Sequence, residues 1–241
     1  MILSAKTHPV IKTVKSLADK KFRQSLGQYL VEGVKSVEEC ISAGCKIDKI
    51  ICTEKWQDRF PDAVLASDEL FKSISTEQTP QGVIAVVEIP KAQLKAPEGD
   101  CLLLDCLQDP GNLGTVIRTA NAAGYEEIYL INCTDPYSPK AVRASMGGVF
   151  RVTLYRSTCE EIFTALSGVP LICADMNGED IFKFNPPEKF CLCIGNEGSG
   201  ISDEVSARAD FTVKIPMRAT CESLNAAVSA GIAMYALKNH K

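Results

Sequence analysis

The chain has 241 residues, 46% hydrophobic and 23% charged, with a formal net charge of −4, enough apolar material for one large domain or two small ones without disulfide support. No apolar run approaches the ~18 residues of a membrane span, and the opening MILSAKTHPVIKTVKS lacks a signal-like apolar core, so a cytoplasmic protein with no membrane partner is expected. The histidines are His8 and His240, and the eleven cysteines form no C-x-x-C pair, so no metal site and no histidine-activated nucleophile is expected.

Residues 1–35 carry seven Lys/Arg (Lys6, Lys12, Lys15, Lys20, Lys21, Arg23 and Lys35) against Asp19 and Glu32, a net +5 that leaves −9 on the other 206 residues. A basic segment on an acidic body can meet nucleic-acid phosphates, although on charge alone a solvated helix face explains it as well. Val10, Val14, Leu17 and Lys21 stand at helical spacing, as do Ile11, Val14, Ala18 and Phe22. A strand fits Tyr29–Val31, and a helix follows near Val34, Val37 and Ile41, with Gly44 at its end. Further strands fit Ile47–Cys52 and Val83–Glu88, with a helical piece near Asp68–Ile74. The stretch IPKAQLKAPEG reads as a linker. The expected organisation is a small α/β domain over 1–89, a linker over 90–99 and a second domain over 100–241.

The second half alternates more regularly. Apolar strands fit Cys101–Cys106, Glu127–Ile131, Phe150–Leu154, Pro170–Ala174, Phe190–Ile194 and Phe211–Ile215, and a final helix fits Leu224–Leu237. Short, almost wholly apolar strands separated by helices predict a mostly parallel sheet covered on both faces. Ligands in such sheets bind beyond the carboxyl ends of the strands, which directs attention to the segments after residues 106, 194 and 215.

In the first of these segments, Pro110-Gly111 forces a turn, Asn112 can cap the helix that follows, and Arg118 lies further along that helix. The second, Ile194-Gly-Asn-Glu-Gly-Ser-Gly-Ile-Ser202, has three glycines in six residues after a strand, with Glu197 among them and Ser202 able to cap a helix. The third, Ile215-Pro-Met-Arg-Ala-Thr-Cys-Glu-Ser-Leu-Asn225, runs into the last helix, which Ser223 or a neighbour can cap. Each alone also fits an ordinary capped connection. Neither the G-x-G-x-x-G dinucleotide fingerprint nor the triphosphate-binding G-x-x-x-x-G-K-[ST] is present.

Together the segments resemble the three signature motifs of the SpoU family, in the SPOUT superfamily of RNA methyltransferases. The matching residues are Asn112, Gly114, Arg118, Thr119 and Ala120; then Ile194 to Gly198 with Gly200; then Ile215-Pro216-Met217 and Ser223-Leu224-Asn225. The first half is similar to the family's substrate-binding extension at His8-Pro9-Val10-Ile11-Lys12, Lys20-Lys21-Phe22-Arg23 and Val31-Glu32-Gly33. The departures are Ala219 for a usual glycine, Ala226 for a common valine and His8 for a frequent asparagine.

The resemblance implies a C-terminal trefoil knot, S-adenosylmethionine as cofactor, and methyl transfer to a ribose 2′-hydroxyl of ribosomal or transfer RNA. It implies that Gly195, Ile215, Met217 and Leu224 cradle the cofactor, the glycines allowing it close approach. Arg118 is the implied catalytic residue, oriented with the ribose by Asn112, Glu197, Ser223 and Asn225. An arginine, with its pKa above 12, serves better as a cation for a developing alkoxide than as a base. Lys12, Lys20 and Arg23 are expected at RNA phosphates. A homodimer is implied, with the apolar final helix as one packing surface that fits equally well as core. The competing readings are an RNA-binding protein of the same fold without catalysis, a SPOUT enzyme that methylates a base, and a nicotinamide-dependent dehydrogenase.

Overall fold

The computed structural model describes residues 2–218, 220 and 223–238, which leaves Ala219 and His240 outside the described residues. The chain forms two compact units, one of residues 1–91 with 135–150, the other of 92–134 with 151–241.

The first unit holds a four-stranded sheet in the order β1-β4-β2-β3, from β1 (Gln28–Glu32), β2 (Ile47–Cys52), β3 (Val64–Leu65) and β4 (Val83–Glu88). β4 runs antiparallel to β1 and β2, and β2 parallel to β3. Ile11, Val14 and Leu17 from the N-terminal helix pack with Leu30, Ile51, Leu70, Phe71 and Ile84 to make the core.

The helix read from periodicity over residues 10–22 is two helices, α1 (Pro9–Ser16) and α2 (Lys20–Leu26). Asp19 separates them, because its carboxylate accepts the Lys21 N–H at 2.8 Å and so starts a new helix in a new phase. Phe22, which stands at helical spacing with Val14 in the sequence, is therefore 43% exposed. His8 caps α1 through Nδ1, which accepts the Val10 N–H at 3.3 Å, an acceptor's role that asparagine also fills. α3 (Val34–Ser42) and α4 (Asp68–Lys72) complete the N-terminal part.

Residues 135–150, placed by the sequence reading in the C-terminal domain, belong to this first unit. They carry α6 (Pro139–Ala144), which packs on β1. Tyr137 lies against Tyr29 with ring centroids 4.9 Å apart, and Asp135 pairs with Arg23.

The second unit is a six-stranded, wholly parallel sheet in the order β10-β8-β9-β5-β6-β7. Its strands are β5 (Cys101–Asp105), β6 (Glu127–Ile131), β7 (Thr153–Arg156), β8 (Leu171–Asp180), β9 (Cys191–Ile194) and β10 (Phe211–Lys214). β7 begins later than expected, since Gly148–Phe150 forms a 3-10 turn. α5 (Pro110–Ala122) and α9 (Ala226–Lys238) pack against each other. α7 (Cys159–Ala165) and α8 (Asp203–Ser206) supply Ile162 and Val205 to a core with Cys101, Leu103, Tyr129, Tyr155, Cys173, Cys191 and Cys193. The buried thiols act there as small apolar groups.

The expected linker is fastened to the second unit. The Tyr129 hydroxyl donates to the Lys95 carbonyl at 2.8 Å, Glu127 accepts the Glu98 N–H at 2.7 Å, and Leu94 packs on the core. Among the described residues no helix is long and apolar enough to cross a membrane.

Candidate active site

A cavity of about 360 Å³ opens at the carboxyl ends of β9 and β10, where doubly covered parallel sheets bind ligands. Its third wall comes from an irregularity in β8. Thr212 pairs with Cys173 but Val213 pairs with Glu179, so residues 174–178 leave the ladder, and Ala174, Asp175 and Met176 reach the cavity. Gly178 makes the return possible, because a Cβ there would stand 2.5 Å from Thr212 C and Val213 N. Gly195, Ile215, Met217 and Leu224 all line the cavity, as do Glu197 and Ser223.

The loop after β9 is shaped by Asn196, which the sequence places in the second motif without a role of its own. Its Oδ1 accepts the N–H groups of Gly198 and Ser199 at 2.8 and 3.1 Å, and its Nδ2 donates to the Cys106 carbonyl at 2.9 Å. Cys106 sits at φ +58, in the left-handed region that non-glycine residues rarely occupy. Its carbonyl also accepts from Gln108 Nε2 at 3.2 Å, so that conformation is held from two sides. The far end of the loop is tied by the buried Asp105, whose Oδ2 accepts the Ser202 N–H at 2.7 Å. Ser202 precedes α8 without a side-chain capping bond.

Gly195 has a reason different from the expected one. A Cβ there would stand 2.4 Å from Gly200 C and Ile201 N and 2.5 Å from Gly200 O. The chain's own backbone forbids a side chain at this position, because the loop doubles back through paired bonds between Asn196 and Gly200. Gly198 is open, with Asn196 Oδ1 3.6 Å from where its Cβ would be.

Asn112 joins the three segments. Its Nδ2 donates to Glu197 Oε1 at 2.6 Å, and its Oδ1 accepts from Asn225 Nδ2 at 3.0 Å. Both of its polar ends are free for this because Asp109, not Asn112, caps α5, accepting the Asn112 N–H at 2.8 Å. At the other end of the bridge Asn225 is itself a cap. Its Oδ1 accepts the N–H groups of Ala227 and Val228 at 3.0 and 3.3 Å, where Ser223 had been the first candidate.

The expected basic residues divide. Arg118 is exposed on α5 and is not among the cavity-lining residues. Six residues beyond Asn112, it lies about 9 Å further along the axis and about 120° away in direction. Lys12 and Lys20 are exposed. Arg23 corrects the expectation of a phosphate contact, because it is buried in the first unit. Nε and Nη2 each lie 2.8 Å from Asp135 Oδ2, and Nη1 donates at 2.8 Å to the carbonyls of Leu17 and Ala18. A guanidinium so engaged presents no face to a phosphate.

A second recess, about 770 Å³, lies at the amino ends of the strands, lined by Lys95, Asp100, Glu127, Lys189 and Lys238 among others. Its charges hold structure. Lys95 pairs with Glu98 and Glu127, Lys238 lies 3.8 Å from Asp100, and Lys189 donates to the Pro97 carbonyl. Among the described residues no group of three or more His, Cys, Asp or Glu side chains is placed to hold a metal ion.

The chain matches the SpoU rRNA Methylase family over residues 101–235 and the MRM3-like substrate binding domain over residues 8–85. It is 33% identical over 248 residues to the 23S rRNA (guanosine(2553)-2'-O)-methyltransferase RlmP of Bacillus subtilis, covering 98% of both chains. Among solved structures it is similar to an AdoMet-bound rRNA methyltransferase from Sinorhizobium meliloti, with a TM-score of 0.89 at 28% identity over 100% of this chain and 98% of that one. It is also similar to the SpoU methyltransferase AviRb from Streptomyces viridochromogenes in complex with AdoMet, with a TM-score of 0.84 at 27% identity over 96% and 98% of the two chains.

Proposed function

The chain belongs to the SpoU rRNA methylase family, and from that premise we propose how its residues carry out S-adenosylmethionine-dependent methylation of an RNA ribose 2′-hydroxyl. The observation that carries the reading is the bridge from Asn112 to Glu197 and Asn225, which joins three distant segments beside one cavity.

The cavity residues fit the cofactor. A volume of about 360 Å³ lies in the usual small-molecule range of roughly 300–1,000 Å³. Ile194, Ile215, Met217 and Leu224 offer apolar walls, Glu197 a carboxylate suited to a cationic ligand, and Gly198 a stretch of backbone with no side chain in the way. When bound, S-adenosylmethionine supplies a methyl group on a sulfonium, whose leaving group is a neutral thioether. Gly195, Ile215, Met217 and Leu224 hold it. Asn112, Glu197, Ser223 and Asn225 orient the ribose.

Arg118 supplies positive charge to the developing 2′-alkoxide and its neighbouring phosphate, while the hydroxyl proton passes to solvent water. Use of an arginine as a base at neutral pH would cost roughly 7 kcal/mol. Its exposed position on α5 goes with a homodimer in which each Arg118 serves the partner's cavity. α9 supports this, being apolar on every side, with Val228 and Tyr235 about half exposed and Ile232 between them on the same face. A helix apolar all round is normally covered all round. Lys12 and Lys20 hold RNA phosphates. The family's C-terminal knot belongs to the same reading, supported by the family match over 101–235. The relatives that modify ribosomal RNA favour ribosomal over transfer RNA.

The test is methyl transfer from labelled cofactor to total RNA, followed by nucleoside analysis. The expected product is a 2′-O-methylated nucleoside, and Arg118→Ala keeps cofactor binding while losing at least ~10²-fold in rate. Near-normal methylation by that variant, or a base-methylated product, counts against the reading.

A further inference from the structure

Helix α2 is built inside out. Its one buried residue is Arg23, while Phe22 and Leu26, its two large apolar residues, are 43% and 48% exposed. Standing four apart, Phe22 and Leu26 share a face. The helix is anchored by the guanidinium of Arg23 on Asp135, Leu17 and Ala18 in place of an apolar seam. Burying a charge while an aromatic ring faces solvent runs against the usual partition, so the pair calls for an explanation.

We propose that Phe22, backed by Leu26, is a stacking platform for an unpaired base of the substrate RNA. The inference rests on the RNA-modifying function above and adds to it a residue and a form of RNA. Charge complementarity selects the occupant. Lys12, Lys15, Lys20 and Lys21 are all exposed on α1 and α2, and Asp19, the one acid in that stretch, is engaged in capping α2. Protein–protein interfaces are depleted in lysine, whereas single-stranded nucleic acids are held by cations along the backbone and aromatic rings against the bases. Duplex RNA offers phosphates and 2′-hydroxyls but no open base face, so an exposed ring among lysines fits a loop or bulge.

The test uses the full chain with two substitutions at one position. Phe22→Leu keeps apolar bulk and removes the aromatic face, and Phe22→Trp keeps the face. We expect Phe22→Leu to raise KM for RNA about tenfold, with kcat, cofactor KM and melting temperature unchanged, and Phe22→Trp to restore it. Trp56 is the chain's single tryptophan, so Phe22→Trp in a Trp56→Phe background gives a fluorophore at position 22 alone. Its emission is expected to be quenched by a short single-stranded RNA of mixed sequence and not by the same strand in a blunt duplex. An unchanged RNA KM in Phe22→Leu, or equal quenching by duplex, overturns the proposal. So does a Phe22→Leu variant that loses self-association while its RNA KM stays normal, which assigns the face to a second copy. The fluorescence arm needs no catalysis, so a protein that methylates no RNA sinks the proposed activity without deciding this one.

Discussion

Gly195→Ala is the substitution whose cost follows most directly from the structure. The new Cβ would stand 2.4 Å from two backbone atoms of the returning loop, where ordinary contact begins at 3.4 Å, so backbone must move by about 1 Å. The neighbouring hydrogen bonds, Asn196 N–H to Gly200 O at 2.8 Å and Gly200 N–H to Asn196 O at 3.0 Å, are the first to yield. Two bonds at about 1 kcal/mol each and an overpacking cost of about 1–3 kcal/mol come to about 3–5 kcal/mol against the native loop. Because the loop lines the cavity, that bias weakens cofactor binding by up to about 10²–10⁴-fold. Isothermal titration with S-adenosylmethionine measures it, beside a thermal melt. Gly198→Ala is the control. Its Cβ would meet Asn196 Oδ1 at 3.6 Å and nothing closer, and neither glycine has a positive φ. Gly198→Ala should therefore leave the melt unchanged and weaken binding only as far as cofactor occupies that space. A Gly195→Ala protein that binds cofactor with wild-type affinity and melts normally refutes the reasoning.

Arg23→Met should destabilise the first unit by about 3–5 kcal/mol, because Asp135 is left buried without its cation, and Asp135→Asn should recover part of the loss. Chemical unfolding measures this, and weaker RNA binding with no loss of stability would return Arg23 to the phosphates. On the alkaline side, burial, helped by the neighbouring carboxylates Asp105 and Glu204, pushes the Cys106 and Cys159 thiols up to about 11, and burial pushes Cys133 up to about 12. Below the ordinary value of 9 both folded and unfolded chains keep these protons. Above it the unfolded chain releases protons that the folded chain retains, so stability should be flat to pH 9 and fall from there towards pH 11–12. A melting temperature that holds or rises between pH 9 and 11 contradicts this.

The six parallel strands were legible because a strand buried on both faces reads as a continuous apolar run. Residues 135–150 were not, because an apolar residue announces burial without saying in which core. Ala141, Val142 and Val149 are buried in the first unit although the chain enters and leaves them from strands of the second. The excursion of β8 was hidden for a related reason, since residues 174–178 leave the ladder only in response to a partner strand more than thirty residues away.

At the site, the sequence marked segments that the fold brings together, without showing what holds them there. Pro110 at the first turn of α5 already pointed to Asp109 as the cap, since proline favours the first helical position and the cap precedes it. Reading Asn112 as the cap concealed that its amide is free at both ends to join Glu197 and Asn225. Gly195 lines the cavity, but sequence does not distinguish a glycine that admits a ligand from one that admits its own chain. α2 carries the same lesson in its sharpest form. A single helical period drawn from Val10 to Phe22 puts the ring in the core and leaves Arg23 outside. One capping aspartate resets the phase and reverses both, and Asp135, the partner that makes the buried charge tolerable, lies 112 residues further on. Short-range patterns therefore predict where helices form more securely than which way they face, and the direction of a face decides whether a residue is structural or free to bind.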